Sequence, residues 1–339
     1  MPKATIDDVA KHAGVSIKTV SRVVNGEPNV REMTRRRVQE AIDELHYRPN
    51  SSARSLAANK SFLIGLLYDN PVPSYIMDVQ NGILGSCREK GYNLLIHPCD
   101  FSKNTIADDI LQLVKQSRVD GLILTPPLSD NIDVIETLKE NSILFVSIAP
   151  VHHEMDRLCV YCDDRNAAYK ITEYLIQQGH SKIGFIIGHP GHGASQERQQ
   201  GFEQAMKDHN VPVNNQWVMQ GYFDFESGRD CAAKLFKASD RPTAIFASND
   251  EMAAGVMVAA QEAGLTLPND LSIAGFDDNP IAEHIWPALS TVRQPVKQMA
   301  SEAAQLLLAH LRGDKNLAQE QELHCELVLR GSIAGPLLP

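Results

Sequence analysis

Seven short apolar runs succeed one another after Ser61: FLIGLLY (62–68), YNLLIHP (92–98), GLILTP (121–126), ILFVSIA (143–149), KIGFIIG (182–188), TAIFAS (243–248) and LSIAGF (271–276). Runs this long without polar alternation suit strands covered on both faces, as in a parallel sheet. Parallel strands need crossover connections, and stretches of helical spacing lie between the runs. These fall near 76–90, 104–117, 131–140, 165–179, 196–209, 226–237, 250–263 and 296–312. The alternation predicts a doubly wound α/β core. There are enough strands for two sheets. GYNLLI and HSKIGFIIG each open a strand after a helix ending in Gly, so two similar lobes are expected.

Residues 1–60 are different in kind. They hold 11 Lys+Arg against 7 Asp+Glu, a net +4, while the remainder carries −14. A basic module on an acidic body points to a nucleic-acid-binding end. The stretch TIDDVAKHAG starts with Thr5 as N-cap and Asp8 three positions later, a capping-box pattern, and Gly14 ends the helix. Ser16 caps a second helix over Ile17 to Val24. Two short helices across a tight Gly turn form a helix-turn-helix, whose second helix enters the major groove. On that outer face Lys18 and Arg22 can donate to guanine and Ile17 can meet a thymine methyl. Thr5, Ser16, Thr19, Ser21 and Asn25 can bond phosphates. A third helix is expected over 31–46, where the basic run Arg35 to Arg37 suits either a DNA backbone or plain solvent.

The residues just past each strand locate a ligand, because open α/β sheets bind beyond the carboxyl ends of their strands. Those positions hold Asp69, Ser74 and Tyr75, then Arg198, Phe223, Asn249 with Asp250, Asp277 with Asp278, and finally Gln294. A guanidinium fork, carboxylates, amides and an aromatic face suit a polyhydroxylated ligand. Asp250 and Asp278 serve equally well as helix caps, and Asp69 as a turn residue. No GxSxG, P-loop or HExxH sequence is present, and adjacent Asp277 and Asp278 need not face one cleft, so no catalytic residues are expected. Six scattered cysteines include a single CxxC, Cys159 and Cys162, which reads as buried thiols and not as a metal site. No cofactor is expected. No run reaches the length of a membrane helix and the N-terminus has no signal-peptide core, which predicts a cytoplasmic chain.

The strings TIDDVAKHAGVSIKTVSRVVNG and YRPNSSARSLA resemble the lactose-repressor (LacI/GalR) family of bacterial transcription regulators, and the resemblance runs to the C-terminus. It implies an all-α helix-turn-helix headpiece over 1–49 and a hinge helix over 50–60 that orders on operator DNA. It also implies a two-lobed periplasmic-binding-protein-like core. Its N-lobe would take 62–162 and 291–321, and its C-lobe 163–290 and 322–339. In the hinge, Asn50 would cap, Leu56 would wedge into the minor groove and Ala53 would pack beside it. Ser52 departs mildly from the family pattern. By the same resemblance Arg198, Phe223, Asn249 and Asp277 hold the effector, joined by Tyr75 and Gln294 and more remotely by Asp163. The expected protein is a homodimeric repressor on a near-palindromic operator, released by a sugar inducer. A purine would call for more stacking aromatics than Phe223 and Tyr75, and remains the alternative effector. A sugar-binding protein without DNA is the alternative of another class.

Overall fold

The computed structural model describes residues 4–24, 29–47, 60–151, 158–238, 240–314 and 319–336. The chain divides into two compact units, Met1–Ser61 and Phe62–Pro339. Asn25 and the hinge residues Asn50, Ala53 and Leu56 lie outside the described residues.

In the first unit, α1 (Ile6–Ala13) begins at a closed capping box. The Thr5 hydroxyl accepts the Asp8 N–H at 3.3 Å, and the Asp8 carboxylate accepts the Thr5 N–H at 2.9 Å. The bonds that the carboxylate accepts from the Thr5 N–H and hydroxyl hold the Asp8 carboxyl below its usual range. Gly14, at φ 61, takes the left-handed conformation that closes the helix at little cost. The Ser16 hydroxyl accepts the Thr19 N–H at 3.2 Å, starting α2 (Ile17–Val24). The third helix among the described residues of this unit is α3 (Glu32–Glu44). Val9, Ala10, Ala13, Val20, Val23, Val38 and Ala41 form the small core the three helices share.

The second unit opens with β1 (Leu63–Tyr68), α4 (Pro73–Lys90), β2 (Asn93–Pro98), α5 (Ile106–Ser117), β3 (Gly121–Leu124), α6 (Ile132–Glu140), β4 (Phe145–Ile148) and β5 (Leu158–Cys162). The second lobe continues with α7 (Asp164–Gln177), β6 (Ile183–Ile187), α8 (Gly193–Asp208), β7 (Val218–Gln220), α9 (Phe225–Leu235), β8 (Ala244–Ala247), α10 (Asp250–Glu262), β9 (Ser272–Ala274) and α11 (Pro280–His284). Then come β10 (Thr291–Arg293), α12 (Val296–Leu311), β11 (Glu320–Leu323) and β12 (Glu326–Val328). One parallel sheet runs β11-β5-β4-β3-β1-β2, and the other β7-β6-β8-β9. All seven apolar runs contain strands, and except in the edge strand β2 their buried residues are what parallel sheets with helices on both faces require.

Among the described residues, three segments cross between the lobes: the end of β5, β10, and the link from β11 to β12. β10 and β12 pair antiparallel. The first sheet keeps Glu320–Leu323, two residues past the boundary expected at 321, because β11 pairs with β5. The tail then returns to the second sheet, where Ile273 N–H donates to the Ser332 carbonyl at 2.9 Å. Close helix contacts use missing side chains: a Cβ on Gly201 would strike the Arg165 carbonyl, and one on Gly228 the Met252 backbone. α7 therefore lies tight on α8, and α9 on α10.

Candidate effector cleft and DNA-reading helix

On α2, Ile17 is 46% exposed although apolar, and Lys18 is exposed beside it. Val20 and Val23 are buried, so the helix shows one face to the core and another outward. Ser16 and Thr19 share a hydroxyl–hydroxyl bond of 2.9 Å, and Thr5 is engaged with Asp8. Two of the hydroxyls read from the sequence as phosphate contacts, those of Thr5 and Ser16, thus also cap helices, and a third, that of Thr19, is bonded to Ser16. Ser21 and Arg22 are half-buried on the same helix.

The cleft is built at the carboxyl ends of the strands of both lobes. Tyr75 enters from the first turn of α4, and Arg198 from α8 after β6. Phe223 lies past β7, Asn249 past β8, Asp277 past β9 and Gln294 past β10. All six line one cavity, together with Asp164 and His192. At its floor Arg198 is 5% exposed. Its guanidinium lies 3.7 Å from the centroid of the Phe276 ring, a cation–π stack. NH2 is 3.5 Å from Asp164 Oδ1 and NH1 is 3.4 Å from Asp277 Oδ1. NH1 also donates to the Ser248 carbonyl at 2.5 Å, while Nε has no hydrogen-bond partner. Gln294 Nε2 donates to both carboxylates, at 3.2 Å to Asp164 and 3.4 Å to Asp277.

The supporting residues explain how this set is held. Asn249 uses its whole amide inward: Oδ1 caps α10 at Met252 N–H, 2.9 Å, and Nδ2 donates to the Phe223 carbonyl, 2.8 Å. It thereby holds Phe223 at φ 65, a strained value for an aromatic residue, with the ring edge-on to His192 at 5.4 Å. Asp277 sits at φ 106 with its N–H donating to Val292, and Asp278 pairs with Arg293 and Arg330, both at 2.7 Å. Asp250, fully buried, accepts from Thr291 Oγ1 at 2.5 Å and Asn279 N–H at 2.7 Å. Both aspartates that read equally as caps instead tie the crossing segment to the second lobe.

Two expected residues stand apart. Asp69 accepts the Phe101 N–H at 2.9 Å and works as a loop anchor. Ser74 donates to Asn279 Oδ1 at 3.1 Å, a bond from first lobe to second outside the cavity lining. Asp163 caps α7 through Asn166 N–H at 2.8 Å, and its neighbour Asp164 is the one that meets Arg198. Sequence reasoning missed Asp164, His192 and Phe276. A signal existed for Asp164: with Asp163 taken as the cap, the next side chain begins the helix at a lobe crossing.

Burial dominates the electrostatics. Asp277 is pushed up to about 7 by burial, with Arg198 opposing and Asp164 and Glu251 adding to the rise. Asp164 is raised for the same first reason, and Arg198 again opposes. His192 is held down to about 4 by burial, then by His189 and Arg198, so its ring is neutral at pH 7. Burial and the neighbouring Asp277 push the Tyr75 hydroxyl upward, so it stays protonated.

Among the described residues, one group could hold a metal: Cys162, Asp164 and Cys325, with ligand atoms within 4.8 Å of one another. The partner of Cys162 is thus Cys325 and not Cys159. A hydrogen bond with Cys325 and then burial hold the Cys162 thiol protonated, and a guanidinium already occupies Asp164. That donor set does not suit a cation. No helix among the described residues is long and apolar enough to cross a membrane.

A helix-turn-helix unit joined to a two-lobed α/β core with a polar cleft defines an effector-responsive DNA-binding regulator. Comparison with known proteins narrows the class. Residues 5–50 match the profile described as bacterial regulatory proteins, lacI family, and residues 172–333 match a periplasmic binding protein-like domain. The transcriptional repressor PurR of Vibrio vulnificus is 34% identical, covering 97% of this chain and 98% of its own. PurR of Yersinia pestis is 36% identical over 98% of both. The Lac repressor bound to ONPG superposes with a TM-score of 0.82 at 26% identity, over 98% of this chain and 100% of that one. A CelR–cellobiose complex gives 0.75 at 26%, over 97% and 99%. The chain belongs to the lacI family of bacterial regulatory proteins, and it is an effector-responsive transcriptional repressor, not an enzyme.

Proposed function

We propose that the cleft around Arg198 is the effector site and that the effector is a small sugar or sugar derivative whose binding releases a carbohydrate-utilisation operator. The observation that carries this reading is the donor–acceptor set. One guanidinium and one amide each lie within 3.5 Å of both carboxylates, and the Phe223 ring lines the same cavity. Vicinal hydroxyls, each both donor and acceptor, satisfy such a set, and the ring covers an apolar sugar face. Tyr75, Arg198, Phe223, Asp277 and Gln294 are assigned to the ligand, and Asn249 to the support of Phe223.

A purine is the second reading. It is favoured by the relatives named PurR, and by Tyr75 and Phe223 reaching the cavity from different lobes, as a stacked flat ring would use them. A thermal-shift screen with free sugars and purine bases separates the two. A ligand at 100 times its Kd adds about 2.7 kcal/mol of stability. A shift with one class, lost in Asp277→Ala, identifies that class. Shifts with neither class reject both.

The headpiece reading assigns Lys18, Ile17 and Arg22 to bases, and Thr5, Ser16, Thr19, Ser21 and Asn25 to the backbone. Asn50, Ala53 and Leu56 belong to a hinge meeting at the centre of a near-palindromic site bound by a homodimer. Sedimentation of the operator complex, with two chains per site, checks the stoichiometry. Lys18→Ala is expected to cost about 1–3 kcal/mol and to relax base preference at one operator position. Equal weakening on every sequence would make Lys18 a phosphate contact.

A further inference from the structure

The floor of the cleft is unevenly charged. One guanidinium faces two carboxylates, both within 3.5 Å of it. His192 is neutral and Tyr75 is protonated, so neither lining group offsets the second carboxylate. Further negative charge acts on each acid: Asp163 and Glu197 on Asp164, and Glu251 on Asp277. Yet Arg198, buried and stacked on Phe276, keeps Nε without a hydrogen-bond partner. A buried donor of that kind implies a ligand oxygen or nitrogen within reach. It does not imply an anion, because both ends of the fork already face carboxylates.

We infer that Asp164 is a specificity-determining residue and that the site takes an uncharged ligand rich in hydrogen-bond donors while rejecting its phosphorylated form. The inference rests on the cleft being the effector site. Hydroxyl or ring N–H groups of the ligand supply the donors that Asp164 and Asp277 lack, and one ligand acceptor meets Arg198 Nε. A phosphate brings negative charge to a buried surface that already holds more carboxylate than guanidinium, and like charges in a poorly solvated site repel strongly. Burial raises both acids, Arg198 opposes, and neighbouring carboxylates add to the rise: Asp163 and Glu197 at Asp164, and Asp164 and Glu251 at Asp277. A free sugar and a free purine base both satisfy this chemistry.

The test uses the full chain and matched pairs in two arms. In one, glucose and ribose are titrated beside glucose 6-phosphate and ribose 5-phosphate. In the other, inosine and guanosine are titrated beside their 5′-monophosphates, with hypoxanthine and guanine as the free bases. Whichever scaffold binds, the phosphorylated partner is expected to bind at least about tenfold more weakly, and Asp164→Asn is expected to shrink that ratio. A phosphorylated partner binding as tightly as its parent overturns the inference, and so does a ratio unchanged in Asp164→Asn. A purely structural role for Asp164 would weaken both partners alike and leave the ratio fixed.

If nothing in either arm binds, the sugar-or-purine reading fails, and the charge rule is read from inorganic phosphate alone. The wild-type protein is then expected to show no thermal protection by phosphate. The doubly neutralised variant, Asp164→Asn with Asp277→Asn, frees Arg198 for an anion and should be protected. Circular dichroism first establishes that this variant is folded. Protection of the wild type, or none in the folded variant, overturns the rule.

Discussion

Replacing Arg198 by Lys is expected to abolish the effector response, with ligand affinity falling at least about a hundredfold, roughly 3 kcal/mol. The guanidinium does four things at once. It faces Asp164 and Asp277, bonds the Ser248 carbonyl, stacks on Phe276 and leaves Nε for the ligand. A lysine ammonium is a point charge without a planar fork, so it can keep one of these contacts but not the set. It does keep the positive charge, which spares the two acids the several kcal/mol cost of losing their buried counter-charge. Arg198→Lys therefore separates ligand recognition from folding better than Arg198→Ala does. The measurement is operator affinity with and without the ligand found in the screen. Wild-type protein changes its affinity on adding ligand, and the variant should give one value in both conditions. A variant that still responds would move the effector site away from Arg198.

How much of this was legible in the sequence depends on the kind of interaction. All seven apolar runs became strands, because a parallel strand between two helical layers must be apolar throughout and few other structures tolerate that pattern. The eight helical stretches were found within a few residues for the same reason. The short pieces β7, β12 and α11 were not, since they carry three to five residues each, too few for periodicity to register, and strands near Thr291 and Glu322, where β10 and β11 lie, were expected only through the family resemblance. Glu320–Leu323 is mostly exposed and polar, and only its pairing with β5 makes it a strand.

The site shows the same division. Phe223, Asp277 and Gln294 lie within a few residues of a strand end and line the cavity, as the topological rule for open sheets expects, whereas Arg198 lies inside α8 and rests on the family resemblance as well. Asp69 obeys that rule too, yet its carboxylate turns back onto the Phe101 N–H. Position after a strand fixes where a residue starts and not where its side chain points. Asp164 was overlooked for a matching reason. Asp163 and Asp164 are indistinguishable as letters, and only the capping geometry sends one to the Asn166 N–H and the other to Arg198. Phe276 reads as the last apolar residue of a strand, and its stacking on a cation is a tertiary fact.

Asp277 gives the second large effect, and its sign comes from linkage. Its carboxyl titrates at about 7 in the folded protein, because burial outweighs the attraction of Arg198. The ordinary value is 3.8. The folded state thus holds this proton more tightly than the unfolded chain does. Below about pH 4 both states are protonated and the group costs nothing. As pH rises from about 4 to 7 the unfolded chain ionises freely while the folded one resists, so stability falls across that window and then levels. Asp164, raised in the same direction, deepens the fall. Asp250 and Glu251, also raised by burial, add to the same fall, and Asp277→Asn removes the share that Asp277 contributes. The variant should melt close to the wild type near pH 4 and several degrees above it near pH 7.5, in thermal unfolding without ligand. The ligand reverses the balance. Hydroxyl donors prefer the ionised carboxylate, so binding releases a proton and affinity should rise with pH, by up to about tenfold per unit below pH 7. The slope should flatten in Asp277→Asn, leaving only the contribution of Asp164. An affinity that falls with rising pH would mean that Asp277 meets its ligand as a protonated donor, and the ligand would then have to offer an acceptor there in place of a hydroxyl hydrogen.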